Sequence, residues 1–534
     1  LPNLACGVIM GQYAGDDIDF NIFDWIFINF HIENLSSKIL RHMYYLGLDI
    51  GSSSIKVALV EVATGKSIGV VQEPETEMEM LAVKNGWAEQ DPKEWWGYVC
   101  SGIKKIKQKY GVEENQIKGV GIAYQMHGLV LVDKQGEPVR KSIIWCDSRA
   151  VEIGRKAYGD IGEDICKAHL LNSPANFTAS KLKWVKENEP ELYKTADKLM
   201  LPGDYIAFRF SNIINTTISG LSEGILWDFK EDSVADLLLG HYGIPKSFIP
   251  DIVDTFGLQS EVDAKGAQES GLAVGTPILY RAGDQPNNAL SLNVFNPGEV
   301  AATGGTSGVV YAVTDNLSGK ESTRVNNFAH VNYTQKTPRV GKLLNINGAG
   351  IQYRWLLNNL DVDSYEEMNT LASEISVGSD GVCLIPFGNG AERMLNNREV
   401  GTRLVNINLN NHTKAHVCRA ALEGIAFSFV YGMEILKSDG ISIEVMRAGN
   451  DNLFRSEIFS NTVATLVSQE IEIYNTTGAI GAARAAGIQD GGFEKFGTYI
   501  TNNDHVKTFK PLKDKSAYQK AYENWKKELE LIIK

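Results

Sequence analysis

Cysteine is scarce, with six in 534 residues. Cys6, Cys100, Cys146, Cys166, Cys383 and Cys418 form no C-x-x-C pair and no metal-ligand spacing, which excludes a disulfide scaffold and fits free thiols in a reducing cytoplasm. Proline is also sparse at 15, and the 51 glycines follow no period, so collagen-like and linker-rich architectures are out. An excess of basic charge is missing: 52 Lys and Arg face 65 Asp and Glu, for a net charge of -13. Nucleic acid and anionic membrane surfaces are therefore poor partners, and small molecules are better ones. Long apolar runs are absent as well. The most apolar stretch, residues 20–32, is broken by Asn21, Asp24 and Asn29 and falls short of the ~20 residues of a membrane span. The first basic residue is Lys38, which argues against a signal peptide.

What is present is a globular composition, 43% hydrophobic and 22% charged, over a length that suits two large domains. Regular patterning starts at Met43, and the chain begins with Leu1. Residues 1–42 are therefore expected to be a non-native or translated upstream extension, disordered or loosely attached. From Tyr45 the pattern predicts a strand to Ile50, a turn at 51–54, a strand from Ile55 to Val62 and a third from Lys66 to Gln72. A helix over 91–109 follows, with Asp91 as N-cap, Pro92 at its first position, and Trp95, Tyr98, Val99, Ile103 and Ile106 on one face. A strand over 117–123 completes what reads as a ribonuclease-H-like α/β unit. Strand, Gly-Thr/Ser turn and strand recur over 299–313. This predicts two homologous halves, 43–295 and 296–534, with the boundary near Asn296-Pro297-Gly298. A small-residue helix over 478–487 suits close approach to another backbone. The terminal helix, with Tyr518, Tyr522, Trp525, Leu529 and Ile532 on one face, closes a core.

A glycine followed by hydroxyl residues between two strands offers N–H and O–H donors to an anion. Gly51-Ser52-Ser53 and Gly305-Thr306-Ser307 supply that device twice. Asp49, just before the first, could hold hydrated Mg²⁺, which takes one or two carboxylates plus phosphate oxygens, or could merely cap its own turn. Gln125-Met126-His127-Gly128 follows a strand, where open α/β sheets present ligands. His127 and Met126 are thus substrate candidates, with a buried structural histidine as the alternative. Asp284, in Gly283-Asp284-Gln285, is a general-base candidate or a helix cap. Competing nucleotide signatures fail. Val60 stands where a P-loop ending in Gly65-Lys66-Ser67 needs glycine, and Tyr124 where a dinucleotide fingerprint needs its third. His412 and His416 have helical zinc-ligand spacing, but Thr413 replaces the needed Glu, so both are expected at the surface.

Taken together, Asp49-Ile50-Gly51-Ser52-Ser53, Gln125-Met126-His127-Gly128, Gly283-Asp284, Gly305-Thr306-Ser307-Gly308 and the 478–487 helix resemble the FGGY carbohydrate kinases, over essentially all of 43–534. The stretch Gly86-Trp87-Ala88-Glu89-Gln90-Asp91-Pro92 and the Trp145, Asp147, Arg149 cluster resemble that family too. The resemblance implies an α/β fold of two actin-like ATPase domains that close on sugar and MgATP, and phosphorylation of a ketopentose, D-xylulose first among them. It implies Asp284 as the base; Gln125, Met126, His127, Trp145, Asp284 and Gln285 as sugar contacts; and Gly51, Ser52, Ser53, Gly305, Thr306, Ser307, Gly449 and Asn450 around ATP. Asp49 and Asp284 would face the Mg²⁺, and no adenosine contact is assigned at position 349, which is Ala349. Departures fall at Arg447-Ala448-Gly449-Asn450-Asp451-Asn452, where a Gly-rich run is thinned to one glycine, and at Cys146, Gly220 and Gln285 on the sugar side. The alternatives are a kinase of another pentulose or polyol, an actin-like or chaperone-like ATPase, which would lack the Gln125–Gly128 motif, and a silent sugar sensor, which the intact Asp284 disfavours. A homodimer is compatible with all of them.

Overall fold

The computed structural model describes residues 43–451 and 453–534. The expectation for 1–42 lies outside them, as does Asn452. The chain opens with β1 (Tyr44–Ile50), β2 (Ile55–Glu61) and β3 (Ser67–Glu73), an antiparallel meander. α1 (Pro92–Tyr110) starts where the Asp91 carboxylate accepts the Lys93 N–H and stops at left-handed Gly111. Its face of Trp95, Val99, Ile103 and Ile106 is buried against the sheet together with Leu46, Leu48, Val57 and Leu59. β4 (Ile117–Tyr124), β5 (Phe256–Glu261) and β6 (Pro277–Gly283) complete a six-stranded sheet of order β5-β6-β4-β1-β2-β3.

The second sheet has seven strands: β7 (Glu299–Gly304), β8 (Gly308–Thr314), β9 (Asn326–Ala329), β10 (Val340–Ile346), β11 (Val445–Gly449), β12 (Ile471–Tyr474) and β13 (His505–Phe509), in the order β9-β10-β8-β7-β11-β12-β13. Five strands in each sheet share one arrangement. β3-β2-β1-β4-β6 and β10-β8-β7-β11-β12 are both an antiparallel meander extended by two parallel strands. The repeat expected from two Gly-hydroxyl turns thus extends through the sheet order.

Register then places the motifs. Ile50 pairs with Tyr124 and Tyr124 with Gly283, so the C-terminal ends of β1, β4 and β6 lie abreast. The segments leaving them carry Gly51–Ser53, Gln125–Gly128 and Asp284. In the second sheet Ala302 pairs with Ala448, and Gly449 with Tyr474, which sets the 305–307 turn beside the segment after β11.

The helices that matter next are α2 (Thr178–Asn188), α3 (Ile218–Glu223), α4 (Asp284–Ser291), α5 (Gly350–Asn359), α6 (Lys414–Ser438), α7 (Gly478–Ala485) and α8 (Ser516–Ile533). α7 follows β12 of the second sheet, yet it packs on the first. A Cβ added to Gly47 would lie 1.9 Å from the Ala479 carbonyl oxygen, and one on Gly121 1.9 Å from that of Ala482. Only glycine permits this backbone contact. In α8 the apolar face buries Tyr522, Trp525 and Leu529, with Tyr518 and Ile532 at its margins.

One expectation fails in part. His416 is buried, 8% exposed, because its Nδ1 accepts the Thr413 N–H at 3.1 Å and caps α6. Helix N-termini leave donors that need acceptors, and the imidazole fills that role. Among the described residues no helix is long and apolar enough to cross a membrane.

Candidate active site

Three short segments at the edge of the first sheet build one side of the site. In the first turn the Gly51 N–H closes on the Ser54 carbonyl at 3.1 Å, and the Ser53 carbonyl accepts the Met78 N–H at 2.8 Å. The main-chain N–H groups of Ser52 and Ser53 have no acceptor among the described residues, as an anion cradle requires. Trp145, half exposed, donates its Nε1–H to the Ser52 hydroxyl at 3.3 Å, which seats this expected sugar contact on the first turn. Gln125 is buried. Its amide donates to Gln90 Oε1 at 3.2 Å, while Gln90 donates to the Ser52 carbonyl at 2.7 Å. The Gln125 side chain therefore braces the turn from behind.

His127 adopts a left-handed backbone (φ 62°), uncommon for a side chain of its size, and its ring lies 4.8 Å from that of Phe177 and 5.2 Å from that of Phe328. Its Nδ1 is 2.9 Å from the Glu223 carbonyl. A carbonyl only accepts, so Nδ1 carries the proton and Nε2 of the neutral ring is an acceptor. The ring stays neutral, because burial, then the Lys181 charge, push its pKa down to about 3, with Arg393 adding to the effect. Lys181, fully buried on α2, donates to the carbonyls of His127 and Ile144 at 2.8 and 2.9 Å. It ties the 125–128 segment to the chain entering Trp145. Neither Lys181 nor Arg393 stood out in the sequence, since their roles come from contacts over long separations.

Asp284 is the first residue of α4, with Gly283 as the N-cap. It is recessed, and burial, then the neighbouring Asp49 carboxylate, push its pKa up to about 7, opposed by hydrogen bonds from Gln285. Asp49 is raised as well, by burial, with Lys56 as the charge that opposes it. Two recessed carboxylates that repel each other suit a divalent cation. No group of three or more His, Cys, Asp or Glu that could hold a metal occurs among the described residues. Met126 is buried beside Gly283, where a Cβ would lie 2.6 Å from Met126 Cγ.

The second side comes from the later half. The carbonyls of Gly305 and Thr306 accept the N–H groups of Gly350 and Ile351 at 3.1 and 2.9 Å, so the turn rests on the start of α5. Ala349, its N-cap residue, is buried. Ser307 sits between that turn and β8. A pocket opens here, lined by Gly305, Thr306, Tyr353, Arg354, Tyr365 and Asn369 among others. Tyr353 and Tyr365 stack at 5.4 Å. Gly449 and Asn450 do not line it. There the Asn450 N–H meets the Tyr474 carbonyl at 2.7 Å and half-buried Asp451 accepts the Gly304 N–H. The aromatic lining was not legible in the sequence because Tyr353 belongs to α5 and Tyr365 to the next helix, Tyr365–Ser373.

Residues 44–291, which carry the first turn, the His127 segment and Asp284, match the model of the FGGY family of carbohydrate kinases, N-terminal domain. This stretch is an FGGY carbohydrate-kinase N-terminal domain. The FGGY likeness extends beyond it. A xylulose kinase of Bacillus subtilis (strain 168) is 27% identical over 464 residues, covering 84% of this chain and 89% of its own. An L-xylulose/3-keto-L-gulonate kinase of Escherichia coli (strain K12) is 26% identical over 491 residues, 90% and 96% of the two. The solved xylulose kinase from Rhodospirillum rubrum superposes with a TM-score of 0.82 at 22% identity over 91% of this chain and 98% of that one. Plasmodium falciparum glycerol kinase with ADP gives 0.81 at 20%, over 92% and 98%. The fold is therefore that of FGGY kinases, with two actin-like halves.

Proposed function

We propose that the protein transfers the γ-phosphoryl group of ATP to a hydroxyl of a ketopentose, D-xylulose first, giving the 5-phosphate. The observation that carries this is the registered edge of β1, β4 and β6, which brings the 51–53 turn, His127 and Asp284 together. The named activity of the relatives supports it. Residues 43–295 supply the sugar side, and 296–534 supply the second turn and the aromatic pocket for adenosine.

Each group has a chemical task. Asp284, with proton affinity near neutrality, takes the proton of the attacking hydroxyl. His127 Nε2 accepts a sugar hydroxyl, and Met126 gives an apolar contact. The turns at 51–53 and 305–307 bind phosphate oxygens through N–H and hydroxyl donors. Asp49, with Asp284 beside it, would hold Mg²⁺, which neutralises phosphate charge when bound.

A coupled ADP-release assay over D-xylulose, D-ribulose, L-xylulose, L-ribulose, glycerol and gluconate tests the reading. Turnover should be greatest with a ketopentose, and Asp284→Asn should lower kcat about 10²-fold or more with ATP binding near normal. His127→Ala should raise KM for the sugar far more than for ATP. Absence of turnover with every sugar would refute the kinase reading.

A further inference from the structure

Glu223 ends α3 and is 1% exposed. Neither of its carboxyl oxygens has a hydrogen-bond partner of ordinary geometry; the nearest donor is the Tyr124 hydroxyl, poorly placed and itself without another partner. The charges around it are Asp284, Asp204, Lys181 and, across the halves, the Tyr311 phenol. The cation among them is engaged elsewhere, since Lys181 donates to the carbonyls of His127 and Ile144. Arg281 pairs with Asp204 at 2.9 Å. A buried carboxyl with no cation of its own and only a poorly placed hydroxyl as donor is costly to keep, and native folds seldom keep one without use.

Its position suggests the use. A Cβ on Gly283, the residue before Asp284, would fall 2.5 Å from Glu223 Oε2 and 2.6 Å from Met126 Cγ. The main-chain oxygen of Glu223 is the atom that fixes the His127 tautomer, at 2.9 Å from Nδ1. One residue thus adjoins the base and both sugar candidates. From these contacts we infer that Glu223 is a sugar-binding residue, whose carboxyl hydrogen-bonds the substrate hydroxyl next to the one that Asp284 activates. This rests on the kinase reading. A neutral carboxyl presents one donor and one acceptor, the complement of a hydroxyl that both gives and takes a hydrogen bond.

The experiment compares wild type, Glu223→Gln and Glu223→Met. Wild-type ADP release with ketopentoses tests the kinase reading by itself, and ketopentose binding without nucleotide, by calorimetry, reads the Glu223 contact separately. Glu223→Met removes the polar group at similar length. It should raise the sugar KM and Kd about tenfold or more, leave the ATP KM within about twofold, and leave Tm little changed, because the buried carboxyl that is lost had no well-placed partner. Glu223→Gln keeps a donor and an acceptor and should hold the sugar KM within about threefold of wild type. An unchanged sugar KM and Kd in Glu223→Met would overturn the inference. So would equal rises in sugar and ATP KM with a lowered Tm, the mark of a packing role or of an enclosed structural water.

Discussion

Between β9 and β10, His330 shows how burial alone sets a residue's chemistry. Its Nε2–H donates to the Val294 carbonyl at 3.0 Å and its Nδ1 accepts from the Tyr311 hydroxyl at 3.1 Å. Burial pushes its pKa down to about 4. In the unfolded chain the ring titrates near 6.5, so between about pH 6.5 and 4 the unfolded state binds a proton that the folded state refuses. Stability is therefore lost as pH falls through that window. Replacing His330 by Gln should make urea-unfolding free energies less steep in pH there, by up to about 1.4 kcal/mol per pH unit. Equal slopes for the two proteins would contradict this. Asp284, His127 and Met126 could be picked out in the sequence because each directly follows a strand with a distinctive local pattern. Glu223, Lys181 and Arg393 could not, because their significance lies in what they fail to pair with or in partners more than thirty residues away.

At the scale of elements, two kinds of glycine are present and a methyl group tells them apart. A Cβ at Gly121 would sit 1.9 Å from the Ala482 carbonyl oxygen of α7, whereas at Gly305 the nearest atom is the Ser307 carbonyl oxygen at 3.7 Å. Gly121→Ala should therefore cost stability, about 3 kcal/mol or failure to fold, because two backbones must separate. Gly305→Val should leave Tm nearly unchanged yet weaken ATP binding, since the side chain takes the space in which phosphate meets the turn. Thermal melts and nucleotide titrations of the two variants check both outcomes. A folded Gly305→Val with full ATP affinity would remove the second turn from the phosphate site. The small-residue pattern of α7 did signal close packing. That its partner is the first sheet could not be read, because Gly47 and Gly121 are more than 350 residues away.

At the scale of the whole molecule, residues of 43–295 and 296–534 share hydrogen bonds and a core cluster. Asn327 donates its main-chain N–H to Asn172 at 2.8 Å, Ala329 donates to the Ser222 hydroxyl at 2.8 Å, and a shared cluster includes Phe177 and Leu221 with Tyr311 and Phe328. The two phosphate turns belong to different sheets, so their joint grip on one nucleotide depends on how the halves sit. Hinge closure around ligands is a common motion. Sugar together with a non-hydrolysable ATP analogue should reduce the radius of gyration in solution scattering, with the bend near 294–298. An unchanged radius at confirmed double occupancy would refute closure.

Local chemistry determined much by itself. Alternating apolar residues set β1 to β4, Asp91 and Pro92 set the start of α1, and two Gly-hydroxyl turns announced a duplicated strand arrangement. These features depend on neighbours within a turn or a strand, which is why they are legible along the chain. Tertiary structure decided the rest. Parallel pairing of β1, β4 and β6 aligned three distant segments into one edge, and α7 was carried from the second half onto the first sheet. The cap made by His416, the aromatic pocket beside Thr306 and the poorly partnered carboxyl of Glu223 all arise from burial. Burial depends on which surfaces meet, and no local pattern of residues encodes that.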